Sequence, residues 1–310
     1  MRWTAFYLGL VFTSTIYGFL VAVAPPSFLV VMASPLLILA LIVIWSMPDR
    51  ATAPTRAPEW LFFAYWVATI LWPNYLAIAL PGLPWISMRR LIGFPMALIL
   101  LICISTSHSF RTTLKEVYRS NIWIYRLLIG FMLVQIISIP FSKAVSNSIN
   151  LLIDDQVAYT AMFFSATYIF IKQGRVDKWA KITCTLAIIT SAIGIIEFPR
   201  EQIIWANHIP NLLKVNDESV FRALSGQFRV GQYRAASTFT LSLMFAEFLA
   251  LATPFFMHYM IRASSLRQRM FWLAGFIIAF LGILVSGSRL GIVGLLVANA
   301  LYILAWAIRE

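Results

Sequence analysis

The sequence predicts an all-α fold, a polytopic transmembrane helix bundle of about ten spans with its N-terminus cytoplasmic. Three observations carry that expectation. Of the 310 residues, 61% are hydrophobic and 12% charged, with a mean hydropathy of +0.83, well outside the usage of a soluble domain. The apolar residues come in continuous runs near the length, about 20 residues, that a helix needs to cross roughly 30 Å of hydrocarbon; a barrel strand would alternate over about ten residues. The Lys and Arg residues, finally, are divided unevenly between the two sets of connections.

The runs centre on residues 5–23, 27–46, 60–80, 91–106, 122–140, 157–171, 181–197, 239–260, 271–287 and 290–308. The first has a basic start and an Ala22-Val23-Ala24 triplet resembling a signal-peptidase site. Its apolar stretch exceeds a usual signal core, so it reads as an uncleaved span. The second leads into the Pro- and Ala-rich tether "MPDRATAPTRAPE", an irregular connection. The third and fourth are joined by a loop ending "PGLPWIS", from which Arg89 and Arg90 open the fourth. The basic connection "SHSFRTTLKEVYRS" then precedes the fifth.

Residues 141–156, "FSKAVSNSINLLIDDQ", place Val145, Ile149 and Leu152 at near-helical spacing, the pattern of a short helix in the membrane interface. After the sixth and seventh runs comes the longest connection, residues 198–238. At that length an unstructured linker is not the default, so a functional outer segment is expected. The eighth run contains Glu247, an isolated acid and a functional candidate by default. Between the ninth and tenth lies "SGSRLG", which sets Arg289 at the start of the last span.

With the N-terminus cytoplasmic, 15 of the 24 basic residues fall on the inner side. The remainder, Arg89, Arg90, Lys143, Arg200, Lys214, Arg222, Arg229, Arg234 and Arg289, are outside, more than the positive-inside tendency leaves by chance. The net charge of +12 does not imply a nucleic-acid partner, because the cations are spread over short loops rather than one face; membrane lipid headgroups are the expected partners of the inner ones. Cys103 and Cys184 both fall inside spans, and His108, His208 and His258 lie on separate pieces of chain, so neither a disulfide framework nor a metal site is expected. No nucleotide-binding loop and no internal repeat is visible.

Any one arginine at a span end reads most simply as a headgroup anchor. Here Arg222, Arg229 and Arg234, then Arg289, then Arg89 and Arg90, come from three pieces of chain to one membrane face. Guanidinium binds phosphate bidentately and stays charged, so such a set suits a lipid diphosphate. Arg289 would add its charge to the helix N-terminus. Ser286 and Ser288 could bond the backbone or a ligand, and Gly287, Gly291, Gly294 and Ala298 form a small-residue stripe that admits a neighbouring helix. Glu247 is a candidate ion-pair partner for an arginine, and His208, the only outer histidine, a candidate base.

The stretch "ILVSGSRLGIVGLLV" is similar to the Ser-Arg-small signature of the O-antigen ligase and polysaccharide polymerase superfamily of bacterial inner membranes, and "FRVGQYRAASTFTLSLMFAEFLALATPF" resembles its arginine-bearing outer segment. Weaker echoes are "ISMRRLIGFPMALILL" and "IPFSKAVSNSINLL". The resemblance implies a glycosyltransferase that needs no metal or cofactor. It would move a glycan from undecaprenyl diphosphate to a sugar hydroxyl, on lipid A core or on another lipid-linked repeat, at the periplasmic side of the inner membrane. By motif position it assigns Arg289 and Arg234 to the diphosphate, with Arg229 and Arg222 as neighbours; Arg89, Arg90 and Ser288 remain candidate substrate contacts from their own place in the chain. The family continues into a periplasmic loop carrying a histidine base, whereas this sequence stops at Glu310. The first expectation is therefore a fragment; a short homologue using His208 or an inactive chain follows. The alternative from another class, a transporter or flippase of an anionic lipid-linked substrate, predicts midplane charges and internal repeats.

Overall fold

The computed structural model describes residues 11–20, 29–49, 56–79, 85–213 and 218–309. The Ala22-Val23-Ala24 triplet, residues 50–55 of the tether, residues 81–84 of the loop before the fourth run and Lys214 lie outside the described residues. The helices are α1 (Val11–Leu20), α2 (Leu29–Trp45), α3 (Arg56–Leu71), α4 (Met88–Thr106), α5 (His108–Ser120), α6 (Ile122–Ser138), α7 (Val145–Asp155), α8 (Met162–Phe170), α9 (Arg175–Glu197), α10 (Glu218–Leu224), α11 (Ser242–Arg262), α12 (Leu266–Val285) and α13 (Arg289–Arg309). Two antiparallel ladders of two residues each accompany them, β1 (Ala77–Ile78) with β2 (Ile86–Ser87), and β3 (Phe228–Arg229) with β4 (Gln232–Tyr233).

The chain is all-α, and six described helical segments are long and apolar enough to cross a bilayer: Met88–Thr106, Ile122–Phe141, Arg175–Arg200, Ser242–Arg262, Leu266–Val285 and Arg289–Ile308. The other four expected runs differ in form. The first is described only over α1; α2 has 17 residues with Pro35 inside, and α3 has 16. The helix expected at the interface is α7, and a π-helical turn, Gln156–Ala161, joins it directly to α8. The sixth run thus continues the preceding helix instead of starting afresh.

Serine hydroxyls mark several starts. Ser87, Ser107, Ser265 and Ser288 accept hydrogen bonds from the backbone N–H of Arg90, Phe110, Gln268 and Gly291 at 3.2–3.3 Å, satisfying donors that the first turn leaves free.

Two apolar cores form inside the helices. Phe62 of α3, Met96 and Cys103 of α4, Phe110 of α5 and Ile169 of α8 meet in the first. Cys184 of α9, Phe245, Leu249 and Phe256 of α11, Ala279 and Ile283 of α12 and Leu295 of α13 meet in the second. Trp66 and Trp179 bridge them: the Trp66 indole donates to Thr183 Oγ1 at 3.1 Å, and the two rings lie 5.3 Å apart. The third core lies outside the helix bundle, where Tyr75, Leu76 and Ala77 after α3 pack against Ile209, Val220 and Ala223. Residues 198–213 and 218–241 therefore form a cap over one end, joined by the Trp205 indole donating to Tyr75 Oη at 3.0 Å.

That end gathers the ends of α3, α9 and α12 and the starts of α4, α11 and α13. The opposite end gathers the start of α3, whose Glu59 pairs with Arg175 at 3.0 Å and Lys172 at 3.6 Å.

The stripe of small residues is used where α13 crosses α11. A methyl added at Gly291 would sit 2.5 Å from the Ala246 Cβ, whereas one at Gly294 would meet the Ala250 Cβ at an ordinary 3.4 Å. Gly287 is not part of that helix; it is a turn residue at φ +59°. Gly291→Ala is expected to cost about 1–3 kcal/mol, the usual range for overpacking, and Gly294→Ala to be near neutral. Thermal unfolding of the two variants in detergent checks the contrast.

Candidate functional site

The cap is fastened through one side chain. Glu197, the last residue of α9, is fully buried. Its Oε1 accepts from Tyr233 Oη at 2.6 Å and from the Ala236 N–H at 3.0 Å, and its Oε2 from the Ser237 N–H at 2.8 Å. Burying a carboxyl group is costly unless it is hydrogen-bonded, and here three donors converge on it. Burial first, then the Glu197 hydrogen bond and charge, push the Tyr233 phenol far above its ordinary value, so it remains a donor at neutral pH.

The strand of chain that Glu197 holds runs on between three helices. Ser237, at φ +54°, donates through Oγ to Thr190 O at 2.8 Å, Thr238 Oγ1 donates to Ile70 O at 2.6 Å, and the Ala235 N–H donates to Val285 O at 3.0 Å. Gln227 finishes the link. Its Oε1 accepts from the Ser242 N–H at 3.0 Å and its Nε2 donates to Thr240 O at 2.8 Å. In this way it caps α11, whose own preceding residue, Leu241, supplies no side-chain cap.

Arg234 follows Tyr233 directly and is fixed by the same frame. Its backbone N–H donates to Gln227 O at 2.8 Å, and its Nε donates to Ser286 O at 3.1 Å. The aliphatic stem lies against Gly287, where an added Cβ would be 3.1 Å from the Arg234 Cγ. The terminal amino groups have no hydrogen bond among the described residues. Burial, and then the charge of Arg229, lower the Arg234 pKa from its ordinary value.

Arg234 lines a groove of about 710 Å³ with Glu218, Arg222, Gln227, Phe228 and Thr240, so that one acid faces its two arginines. Arg222 pairs with Glu218 at 2.5 Å, on an exposed turn of α10. Arg229 is exposed at the β3–β4 hairpin, whose turn residues Val230 and Gly231 have φ +53° and +76°, the pairing of signs that a tight two-residue hairpin requires. Arg289 begins α13, two residues after the Gly287 turn on which Arg234 rests; it is exposed and without an ion pair among the described residues.

The other sequence candidates are placed differently. Arg90 makes a bidentate pair with Asp154, Nε to Oδ1 at 2.7 Å and Nη2 to Oδ2 at 2.5 Å, and donates through Nη1 to Trp85 O. It anchors α4 to α7, and neither it nor half-buried Arg89 lines the groove. Of the three pieces of chain expected to meet, residues 222–234 touch the turn at Ser286 and Gly287 through Arg234, while Arg289, Arg229, Arg89 and Arg90 do not line the groove. Ser288 is buried with its hydroxyl capping α13, and Ser286 Oγ donates to Ile283 O at 2.6 Å, so both serines bond the backbone. Glu247 is exposed on α11 and has no arginine partner among the described residues, contrary to the expected ion pair. His208 is exposed in the cap, its backbone N–H donating to Trp205 O at 2.9 Å, and it does not line the groove.

Glu197 and Gln227 escape sequence reading, because an acid closing an apolar run and a glutamine in a polar loop both look ordinary. The signal in each case is a partner distant in sequence. Comparison of the chain with protein-family models, curated proteins and solved structures finds no match.

Glu197→Ala leaves three donors without an acceptor, at about 1–3 kcal/mol each. It is expected to lower the unfolding temperature markedly and to open residues 198–241 to protease, while Tyr233→Phe does so in smaller degree. Gly287→Ala adds about 1–2 kcal/mol of left-handed strain and displaces the Arg234 stem; limited proteolysis and unfolding curves read both effects.

Proposed function

We propose that the protein is a membrane glycosyltransferase of the O-antigen ligase or polysaccharide polymerase type, acting at the periplasmic side of a bacterial inner membrane. In this reading the donor is a glycan on undecaprenyl diphosphate and the acceptor a sugar hydroxyl on another lipid. The observation that supports it is the seating of Arg234: its Nε is spent on Ser286 O at the turn that opens α13 with Arg289. The rest of its guanidinium is left for the groove it shares with Arg222.

The acceptor oxygen attacks the anomeric carbon as the bond to the diphosphate breaks, its hydroxyl proton passing to water, and negative charge grows on the departing phosphate oxygen. Guanidinium groups already held in place stabilise that charge without reorganising during the reaction, which is where such groups act most strongly. Arg234 is held on both its backbone and its side chain, and Arg289 adds its charge to the N-terminus of a 21-residue helix. Arg229 supports the same field from the hairpin.

Arg289→Lys and Arg234→Lys keep the charge but not the planar fork. Each is expected to lower the rate by about 100-fold, the cost of losing one fixed donor to developing charge, while inserting into the membrane normally. The assay is release of undecaprenyl diphosphate from a lipid-linked glycan in reconstituted vesicles with an acceptor. An unchanged rate in Arg289→Lys reduces that residue to a headgroup anchor. Transfer of the glycan across the bilayer without diphosphate release would instead identify a flippase.

A further inference from the structure

A second cationic cavity lies at the end of the bundle away from the cap, where α11 turns into α12. It has a volume of about 690 Å³ and is lined by Lys181 of α9, Arg262 and Arg267 from either side of the turn, and Tyr259, Phe271 and Trp272. The Tyr259 and Trp272 rings stack with centroids 4.7 Å apart and planes 26° from parallel. The only acid bonded to this group among the described residues is Asp177, which pairs with Lys181 at 2.8 Å and accepts from Tyr259 Oη at 2.8 Å. Asp177 therefore offsets Lys181. Arg262 and Arg267 have no ion pair among the described residues, so the cavity keeps an excess of positive charge.

Its depth identifies the occupant. The two helices that meet there, Ser242–Arg262 and Leu266–Val285, are each of membrane-spanning length, so their joining turn falls at a bilayer surface. Beside the cavity, Leu266, Met270 and Phe271 are exposed at 74%, 54% and 59%. Paired arginines next to an exposed apolar flank match a headgroup phosphate with acyl chains below it, whereas a soluble phosphate compound would leave that flank bare. We propose that the α11–α12 turn is a binding site for an anionic phospholipid, its phosphate held by Arg262 and Arg267 against the Tyr259–Trp272 stack. The site is independent of the groove beneath the cap and of the reaction assigned to it.

The test uses the full chain in non-ionic detergent, with bound lipid counted by native mass spectrometry. Phosphatidylglycerol is expected to be retained in preference to phosphatidylcholine. Arg262→Gln/Arg267→Gln is expected to weaken phosphatidylglycerol binding by about thirty-fold, from about 1 kcal/mol per surface cation. Lys115→Gln/Arg119→Gln removes two exposed cations of α5 outside the cavity and should leave binding unchanged. Equal retention of the two lipids, or an equal loss in both double variants, overturns the proposal. Hydrogen exchange of the unaltered protein needs no variant: phosphatidylglycerol should slow exchange at residues 262–268 more than phosphatidylcholine does, and no selective slowing defeats the idea. If inorganic phosphate alone slows those amides as much as the lipid, the ligand is a soluble phosphate compound and the lipid assignment fails.

Discussion

Glu197 accepts hydrogen bonds from Tyr233, Ala236 and Ser237, and through them one carboxyl group decides where the chain passes between the cap and α11. A hydrogen bond contributes about 0.5–1.5 kcal/mol net, and a buried carboxyl group left unpaired in the same place would cost more than that. The arrangement is therefore all or nothing. While it holds, residues 235–238 stay threaded between Ile70 of α3, Thr190 of α9 and Val285 of α12; without it these contacts lose their common support.

Everything at the capped end follows from that thread. Arg234 lies immediately before the buried segment, so its direction is set by the residues that hold that segment. Gly287 provides the space for its stem and Ser286 the carbonyl for its Nε. Gln227 ties the start of α11 to the hairpin that presents Arg229. The structure thus holds Arg234 by both its backbone and its side chain, in place of leaving it free to follow the headgroups.

Both ends of the bundle pair part of their charge. At the capped end Arg234 is held by backbone carbonyls, while Arg90 and Arg222 pair with Asp154 and Glu218. At the other, Glu59 pairs with Lys172 and Arg175 and Asp177 with Lys181, while Arg262 and Arg267 line the cavity at the α11–α12 turn. Arginine serves both purposes because its fork can satisfy one acceptor and still offer donors to another; Arg90 shows the opposite limit, with its guanidinium spent on Asp154 and Trp85.

The sequence by itself determined that the chain is helical and apolar enough to enter a membrane, because hydrocarbon requires backbone hydrogen bonds to close within a segment, and that requirement is written into the length of each run. It also marked Arg234 and Arg289 as unusual and Gly291 as a packing residue, since charge and side-chain size are local properties. It could not separate Arg90 from them, nor distinguish Ser288 as a cap from Ser288 as a ligand contact, because those choices depend on Asp154 and on the turn geometry at Gly287. It likewise could not show that α7 runs into α8. Glu197, Gln227 and the cavity at the α11–α12 turn were decided only by tertiary structure: Glu197 meets groups 36 to 40 residues away and Gln227 groups 13 and 15 residues away, pairings that sequence spacing cannot express.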